Sequence, residues 1–408
     1  MNMELISRRI GIFFWILIIL PKLNLLSFAG ESAGIRIDDL LIAASIPLLY
    51  HLVAKGHVAL PRTGLLLIFF GWCIGCTLIN NFVFGRGSIL YPIRFMEYAT
   101  FLIAGSAAWN GGINLARPLA VLVGLNTVVI LLQYAGIVGG FSSEGYVASV
   151  ADRPIGLTGG PWEVGVLIDF AFAWYLCYEQ RTLPRLIGFA VAAALVLITG
   201  ARMPLLALLI ITMAVMILSA RRNPLQTPTV IVIGLAIAMV LIFVDNPLTS
   251  RSAGLFSSNN VDSFANALAF RGKDTDFDGF AEFAEVEDGD ASWMMRVIKW
   301  STAISIFLSD DFSFLIGLGH GIWGPALDGG FLRLVTEGGF LALILFYLAW
   351  IRMINTRVMW LCLIVFTINM FMIDVYLSYK IMGMLYFMAG YFWNLGLRDR
   401  TARDGKSA

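Results

Sequence analysis

Two arginines stand beside glycine and proline where apolar runs begin: Arg153 opens "RPIGLTGGPWEVG", and Arg202 sits in "LITGARMPLLALL". Guanidinium groups pair phosphate oxygens two at a time. A proline in the first turn marks a helix start whose free N–H groups and dipole favour an anion. Glycine-containing breaks are tolerated at membrane depth only where they line a cavity or lie buried in protein. The pattern predicts two helix N-termini and two arginines facing one phosphate-bearing ligand; the alternative is that each arginine snorkels to lipid headgroups. Proton-transfer groups lie nearby in sequence motifs of the same kind. Asp328 in "LDGGFLRLV" is the first candidate for a general base, with His320 in "GLGHG" and Glu163 just after "GGP" as second candidates. Asp328 is equally placed to cap the helix that follows it, and His320 to be an ordinary turn histidine.

These residues need elements to position them, and the composition says what kind. Of 408 residues, 59% are hydrophobic and 13% charged, more apolar side chain than one soluble core can bury. Lipid is the expected solvent. Apolar stretches of spanning or near-spanning length fall at 10–28, 38–54, 64–82, 95–109, 117–138, 161–178, 186–199, 203–220, 228–245, 336–351, 357–373 and 381–396. With the N-terminus in the cytoplasm, Arg8, Arg9, Lys55, Arg62, Arg117, Arg181, Arg185, Arg221, Arg222, Arg352, Arg357 and the tail cations from Arg398 to Lys406 all fall on the cytoplasmic side. The outer side keeps fewer, which satisfies the positive-inside rule and predicts that both termini are cytoplasmic. Lys22 interrupts the first apolar region, so a cleaved leader is not expected. The expected fold class is an all-α polytopic membrane protein of about twelve transmembrane helices: helices 1 to 9 in residues 1–245, one large outer loop at 246–335, and helices 10 to 12 with a tail in 336–408. Net charge +1 and the lack of a basic block outside helix-flanking loops argue against nucleic acid as a partner. Cys73, Cys76, Cys177 and Cys362 all lie inside apolar spans and read as small buried hydrophobes.

The outer loop is too long for a passive connector. Its segment "WMMRVIKWSTAISIF" predicts an amphipathic helix carrying Arg296 and Lys299. Its acidic run "DTDFDGFAEFAE" has Asp274, Asp276 and Asp278 at positions 1, 3 and 5 of a twelve-residue calcium loop. Gly279 follows at 6, the Phe280 carbonyl at 7, Glu282 at 9 and Glu285 at 12. The alternative is an acidic, solvated face. Within the spans, Glu97 and Asp169 are buried ionisable groups. Arg94 is placed to pair with Glu97 along one helix, and Asp169 to face the bundle interior.

"RPIGLTGGPWEVG", "LITGARMPLLALL" and a long outer loop ending in "GLGHG…DGGFLRLVTEGG" together resemble the O-antigen polymerase and O-antigen ligase superfamily of bacterial inner membranes. The resemblance covers roughly residues 90–345 and implies a GT-C-like helical fold with a periplasmic loop. It also implies transfer of a glycan from an undecaprenyl-diphosphate carrier to an acceptor hydroxyl, with no cofactor for the catalysis. By resemblance Arg153 and Arg202 match the diphosphate-clamping arginines. Arg296 matches a third basic position in the loop, and Lys299 and Arg94 are further substrate-binding candidates. Ligases carry a histidine followed by asparagine where this chain reads "DGG" at Asp328, so the resemblance favours a polymerase of lipid-linked repeat units. The expected partners are that lipid-linked oligosaccharide, membrane lipids, a chain-length regulator and a flippase. The alternatives are an O-antigen-type ligase and a lipid-linked glycan flippase or transporter. The mid-span segments are nearly free of Lys and Arg, which disfavours a translocation path.

If the acidic run is a structural calcium site, calcium raises the melting temperature of the purified protein well above the effect of equal magnesium, and Glu285→Gln removes that gain. Equal stabilisation by the two ions makes the run an acidic surface.

Overall fold

The computed structural model of the protein describes residues 3–27, 34–141, 151–220, 291–309, 312–324 and 326–404. The predicted span at 228–245 and all six proposed calcium-ligand positions, Asp274 to Glu285, lie outside the described residues. The helices in chain order are α1 Met3–Ile19, α2 Ile37–Ala54, α3 Gly64–Phe84, α4 Leu90–Asn110, α5 Ala116–Tyr134, α6 Pro161–Tyr178, α7 Thr182–Thr199 and α8 Arg202–Ala220. They continue as α9 Ala291–Ser309, α10 Ser313–Ile316, α11 Gly330–Met353, α12 Arg357–Asn369 and α13 Tyr379–Asp404. A short antiparallel ribbon, β1 Asn24–Ser27 with β2 Gly34–Arg36, joins α1 to α2. Each predicted span that falls in the described residues overlaps a helix, but the first, at 10–28, is helical only as far as Ile19 and then leads into β1. Among the described residues, five helices are long and apolar enough to cross a membrane: α2, α3, α5, α7 and α11. Arg202–Leu218 and α12 are shorter apolar helices. The chain is thus a helical protein with the character of a multi-pass membrane protein.

Outward-facing apolar residues give the same reading. Leu67 on α3, Val128 on α5 and Leu183 on α7 are more than half exposed, which water would penalise and lipid does not. In contrast, α6 is apolar on every side and buried from Val164 to Ala173, as expected of a central helix.

Helices α4 and α13 pack backbone against backbone. A Cβ at Gly105 would fall 1.9 Å from the Phe387 carbonyl oxygen, and one at Gly390 would fall 2.0 Å from that of Leu102. Small residues allow this approach, and backbone contact replaces the hydrophobic drive that lipid cannot supply. Gly390→Val therefore overpacks the seam at the top of the about 1–3 kcal/mol range or beyond it. The expected outcome is loss of monodisperse protein in detergent. Gly124→Val on α5, where a Cβ meets nothing within 4 Å, leaves yield and melting temperature unchanged.

Candidate functional site

Helix α11 does not run straight. Gly339, at φ +76°, interrupts it, and the carbonyls released by the break are taken up from outside the helix. Leu318 N donates to Thr336 O at 2.8 Å, Gly319 N to Glu337 O at 3.0 Å, and Trp72 Nε1 to Gly338 O at 2.8 Å. A side chain at Gly339 would collide with the Leu315 carbonyl at 2.1 Å, so the tight approach and the positive φ both require glycine. The loop running through "GLGHG" lies in the notch so formed and is tied to α3. There Asn80 Nδ2 donates to Gly317 O at 3.2 Å, and His320 N donates to Thr77 Oγ1 at 3.2 Å.

A buried charge network occupies the first half of α11. Arg333 Nε donates to Glu337 Oε1 at 3.0 Å, one helical turn on, and Nη1 donates to Asp374 Oδ2 at 3.0 Å. Glu337 also accepts from Gly321 N at 3.1 Å and from Tyr376 OH at 3.3 Å, and its Oε2 lies 3.2 Å from His320 Nδ1. Arg333, Glu337 and His320 are fully buried. Asp374 comes from the α12–α13 connection. Its carboxylate accepts from three consecutive backbone N–H groups, those of Leu327, Asp328 and Gly329, at 2.8, 3.3 and 3.0 Å. One carboxylate thus binds the turn that starts α11 and the arginine one turn into it.

The second irregular segment, Arg153–Gly160, is held in the same manner from α5. Gln133 Oε1 accepts from Ile155 N at 3.0 Å and Gly156 N at 2.8 Å, while its Nε2 donates to Gly156 O at 3.1 Å. Asn126 Oδ1 accepts from Leu157 N at 2.9 Å. The segment leads into α6 with Pro161 at its first position, as the sequence predicted. Gly165 then packs on the first turn of α8, where a Cβ would meet that of Pro204 at 2.8 Å. The starts of α6 and α8 are therefore neighbours, with Arg202 the first residue of α8 and Arg153 in the segment that leads into α6. Arg153 and Arg202 are both half-buried.

The connection from Asp374 to Lys380 joins the two halves. Ser378 Oγ donates to Glu163 Oε1, and Lys380 Nζ donates to Leu157 O at 2.7 Å and Ile19 O at 3.3 Å. Asp328, Glu337, Asp374 and Glu163 all lie at this one end of the bundle. So do Asp38 and Asp39 at the start of α2 and the Glu97 that faces them.

Several sequence expectations change. Glu163 is enclosed: it is 1% exposed, pairs with Lys22 at 3.1 Å and accepts from Gly159 N at 2.8 Å as well as from Ser378. His320 is not a surface turn residue. Its ring is enclosed, with Nδ1 against Glu337 and Phe95 edge-on at 5.4 Å. Asp328 is not a helix cap. Gly329 holds that position without any side-chain cap, and the amides are served by Asp374 instead. Glu97 lies beside Asp39 of α2 as well as being near its own-helix neighbour Arg94 in sequence. Arg94 is half-buried and lies near Tyr91 and Tyr98. Asp169 does face the interior, where it is fully buried.

Asp328 keeps a side-chain exposure of 36% and lies with Oδ2 3.6 Å from Arg296 Nε on α9. It is the one residue with a left-handed backbone apart from glycines among those described, at φ +58°. Burial raises its carboxyl above the ordinary range. Arg296 opposes that shift, Asp374 adds to it and Lys299 opposes it again. Lys299 Nζ donates to Ala326 O at 3.0 Å and Trp300 Nε1 to Leu327 O at 3.1 Å, so α9 is docked onto the turn that carries Asp328.

Arg333, Glu337, Asp374, Asn126 and Gln133 escaped the sequence reading. The available signals were an Arg-Glu pair four residues apart inside an apolar run, and two amides two turns apart on α5. No protein-family model matches this chain, and a search of curated proteins finds no match either. The family resemblance therefore stands on the quoted motifs.

Asp374→Ala leaves Arg333 with one carboxylate and releases three amides. The expected cost is about 3–5 kcal/mol, as for removal of one partner from a buried ion pair. It is read as a fall in melting temperature in detergent, and Asp374→Asn falls between that variant and the wild type.

Proposed function

We propose that the protein polymerises lipid-linked glycans, transferring a growing chain from an undecaprenyl-diphosphate-type carrier to a hydroxyl of the next repeat unit. The observation that carries this reading is Asp328. It is an accessible carboxylate beside Arg296, on a turn fixed by Asp374, while His320 and Glu163 are enclosed and engaged. Asp328 accepts the proton of the attacking hydroxyl, the new glycosidic bond forms at the anomeric carbon, and the bond to the diphosphate oxygen breaks. The leaving diphosphate gathers negative charge, which Arg153, Arg202 and the N-termini of α6 and α8 are arranged to stabilise. The juxtaposition of those helix starts through Gly165 and Pro204 supports a single anion site. This end corresponds to the outer side on the sequence-based topology, and the family resemblance adds that the membrane is a bacterial inner membrane with its periplasmic face on that side.

Three outcomes test the reading. Asp328→Asn keeps the shape of the side chain but cannot take a proton, so it abolishes chain extension while repeat units still accumulate on the carrier. Arg153→Ala and Arg202→Ala do the same with the protein retained in the membrane, and Lys restores little because it lacks the planar fork. Full polymer in any one of these variants removes that residue from the mechanism.

The pH dependence has a defined sign. A base works when ionised, so activity rises with pH through the Asp328 titration, which burial places above the ordinary carboxylate range. Arg296→Gln removes the main opposing charge and moves the acid limb of the pH–rate profile to higher pH. Because the folded protein holds this proton more tightly than the unfolded chain, ionisation of Asp328 lowers stability as pH rises through the same window.

A further inference from the structure

At the end of the bundle away from Asp328, a cavity of about 520 Å³ lies between α6, α7, α8 and α12. Two of its lining residues are arginines, Arg185 and Arg357, and none is acidic. Leu218, Trp360, Leu361 and Ile364 make much of its wall. Both guanidinium groups lie close enough to the Cys177 thiol, in the same wall, to act on it electrostatically. The two cations thus converge on one space. Arg185 is 7% exposed and anchored: it donates to the carbonyls of Leu176 and Glu179, where the dipole of α6 ends negative. Arg357 is exposed in the first turn of α12, just after the cap residue Thr356. That helix start adds free N–H groups to the same side. The Glu179 side chain accepts from Arg181 N at 2.8 Å.

We propose that this cavity binds one anionic phospholipid, its phosphate between Arg185 and Arg357 and its chains leaving along Leu218 and Leu361. Charge and polarity together select this occupant. A neutral lipid would satisfy the walls but offer no charge to the positive potential of Arg357, Arg185 and the start of α12; a free anion would meet that potential and leave the walls unfilled. The helix termini that frame the cavity set it at headgroup depth, where Trp360, 45% exposed, is an interface residue. The volume lies in the about 300–1,000 Å³ range of small-ligand sites. The site is independent of the proposed chemistry at Asp328, because it occupies the other end of the bundle.

Native mass spectrometry of the full chain released from phosphatidylcholine nanodiscs, with and without phosphatidylglycerol, tests this directly. The expected result is one phosphatidylglycerol retained in preference to phosphatidylcholine. Retention falls about tenfold in Arg357→Gln, the loss of one charge-assisted contact, and further in Arg357→Glu. Arg357 is exposed, so both variants should melt like wild type in pure phosphatidylcholine, which separates lost binding from lost folding. Inorganic phosphate should neither displace the lipid nor raise the melting temperature. Equal retention of the two lipids, undiminished retention in Arg357→Gln, or displacement by inorganic phosphate would each overturn the proposal, the last by showing an ion site.

Discussion

The structure depends on keeping backbone polar groups paired in a part of the molecule where water is not there to pair them. A helix satisfies its own groups, but at the Asp328 end the chain leaves helical geometry, among other places, at 153–160 and at the break in α11 with the loop seated in it. Each unpaired buried group would cost about 1–3 kcal/mol, and each segment has many. The answer in both places is a set of side chains borrowed from a neighbouring straight helix. Asn126 and Gln133 on α5 serve the first segment. Trp72, Thr77 and Asn80 on α3 serve the second. Polar residues in otherwise apolar helices are thus the complement of irregular backbone elsewhere.

The same constraint explains the charges. Arg333 buried alone would be prohibitive, and a buried ion pair is no guarantee of net stability against an apolar replacement. Two carboxylates share its guanidinium, and both also accept from backbone or side-chain donors, so few lone pairs go unused. The network is better understood as specifying geometry than as adding stability. It fixes the angle of the first half of α11, seats the "GLGHG" loop, and determines where the turn at Asp328 lies.

That division of roles accounts for what was legible in the sequence. Helix positions were legible because long apolar runs leave few alternatives, and Pro161 and Pro204 announced their helix starts. Asp328 stood out through its glycine neighbours. The partners of these features were hidden because they are remote in sequence. Asp374 sits 46 residues from Asp328, in a connection that reads as an ordinary link between spans. His320 and Glu163 are more enclosed than their sequence context suggests for one reason: a titratable residue near a glycine-rich turn looks accessible until the elements that cover it are in place. Lys22 and Lys380 carried only topological information in the sequence, yet both reach the Glu163 region.

Asp328 shows how one residue can be held firmly and still present a free face. Its backbone is committed, since its N–H and those on either side all point at the Asp374 carboxylate. Converging three successive amides on one acceptor demands a local left-handed residue, and aspartate adopts φ +58° more readily than most side chains would. With the backbone spent on Asp374, the side chain is directed to Arg296 on α9, and α9 is itself fastened to the same turn through Lys299 and Trp300. The carboxylate and its guanidinium partner are therefore held on one turn, and that turn is where the fixed buried network of α11 meets the accessible surface.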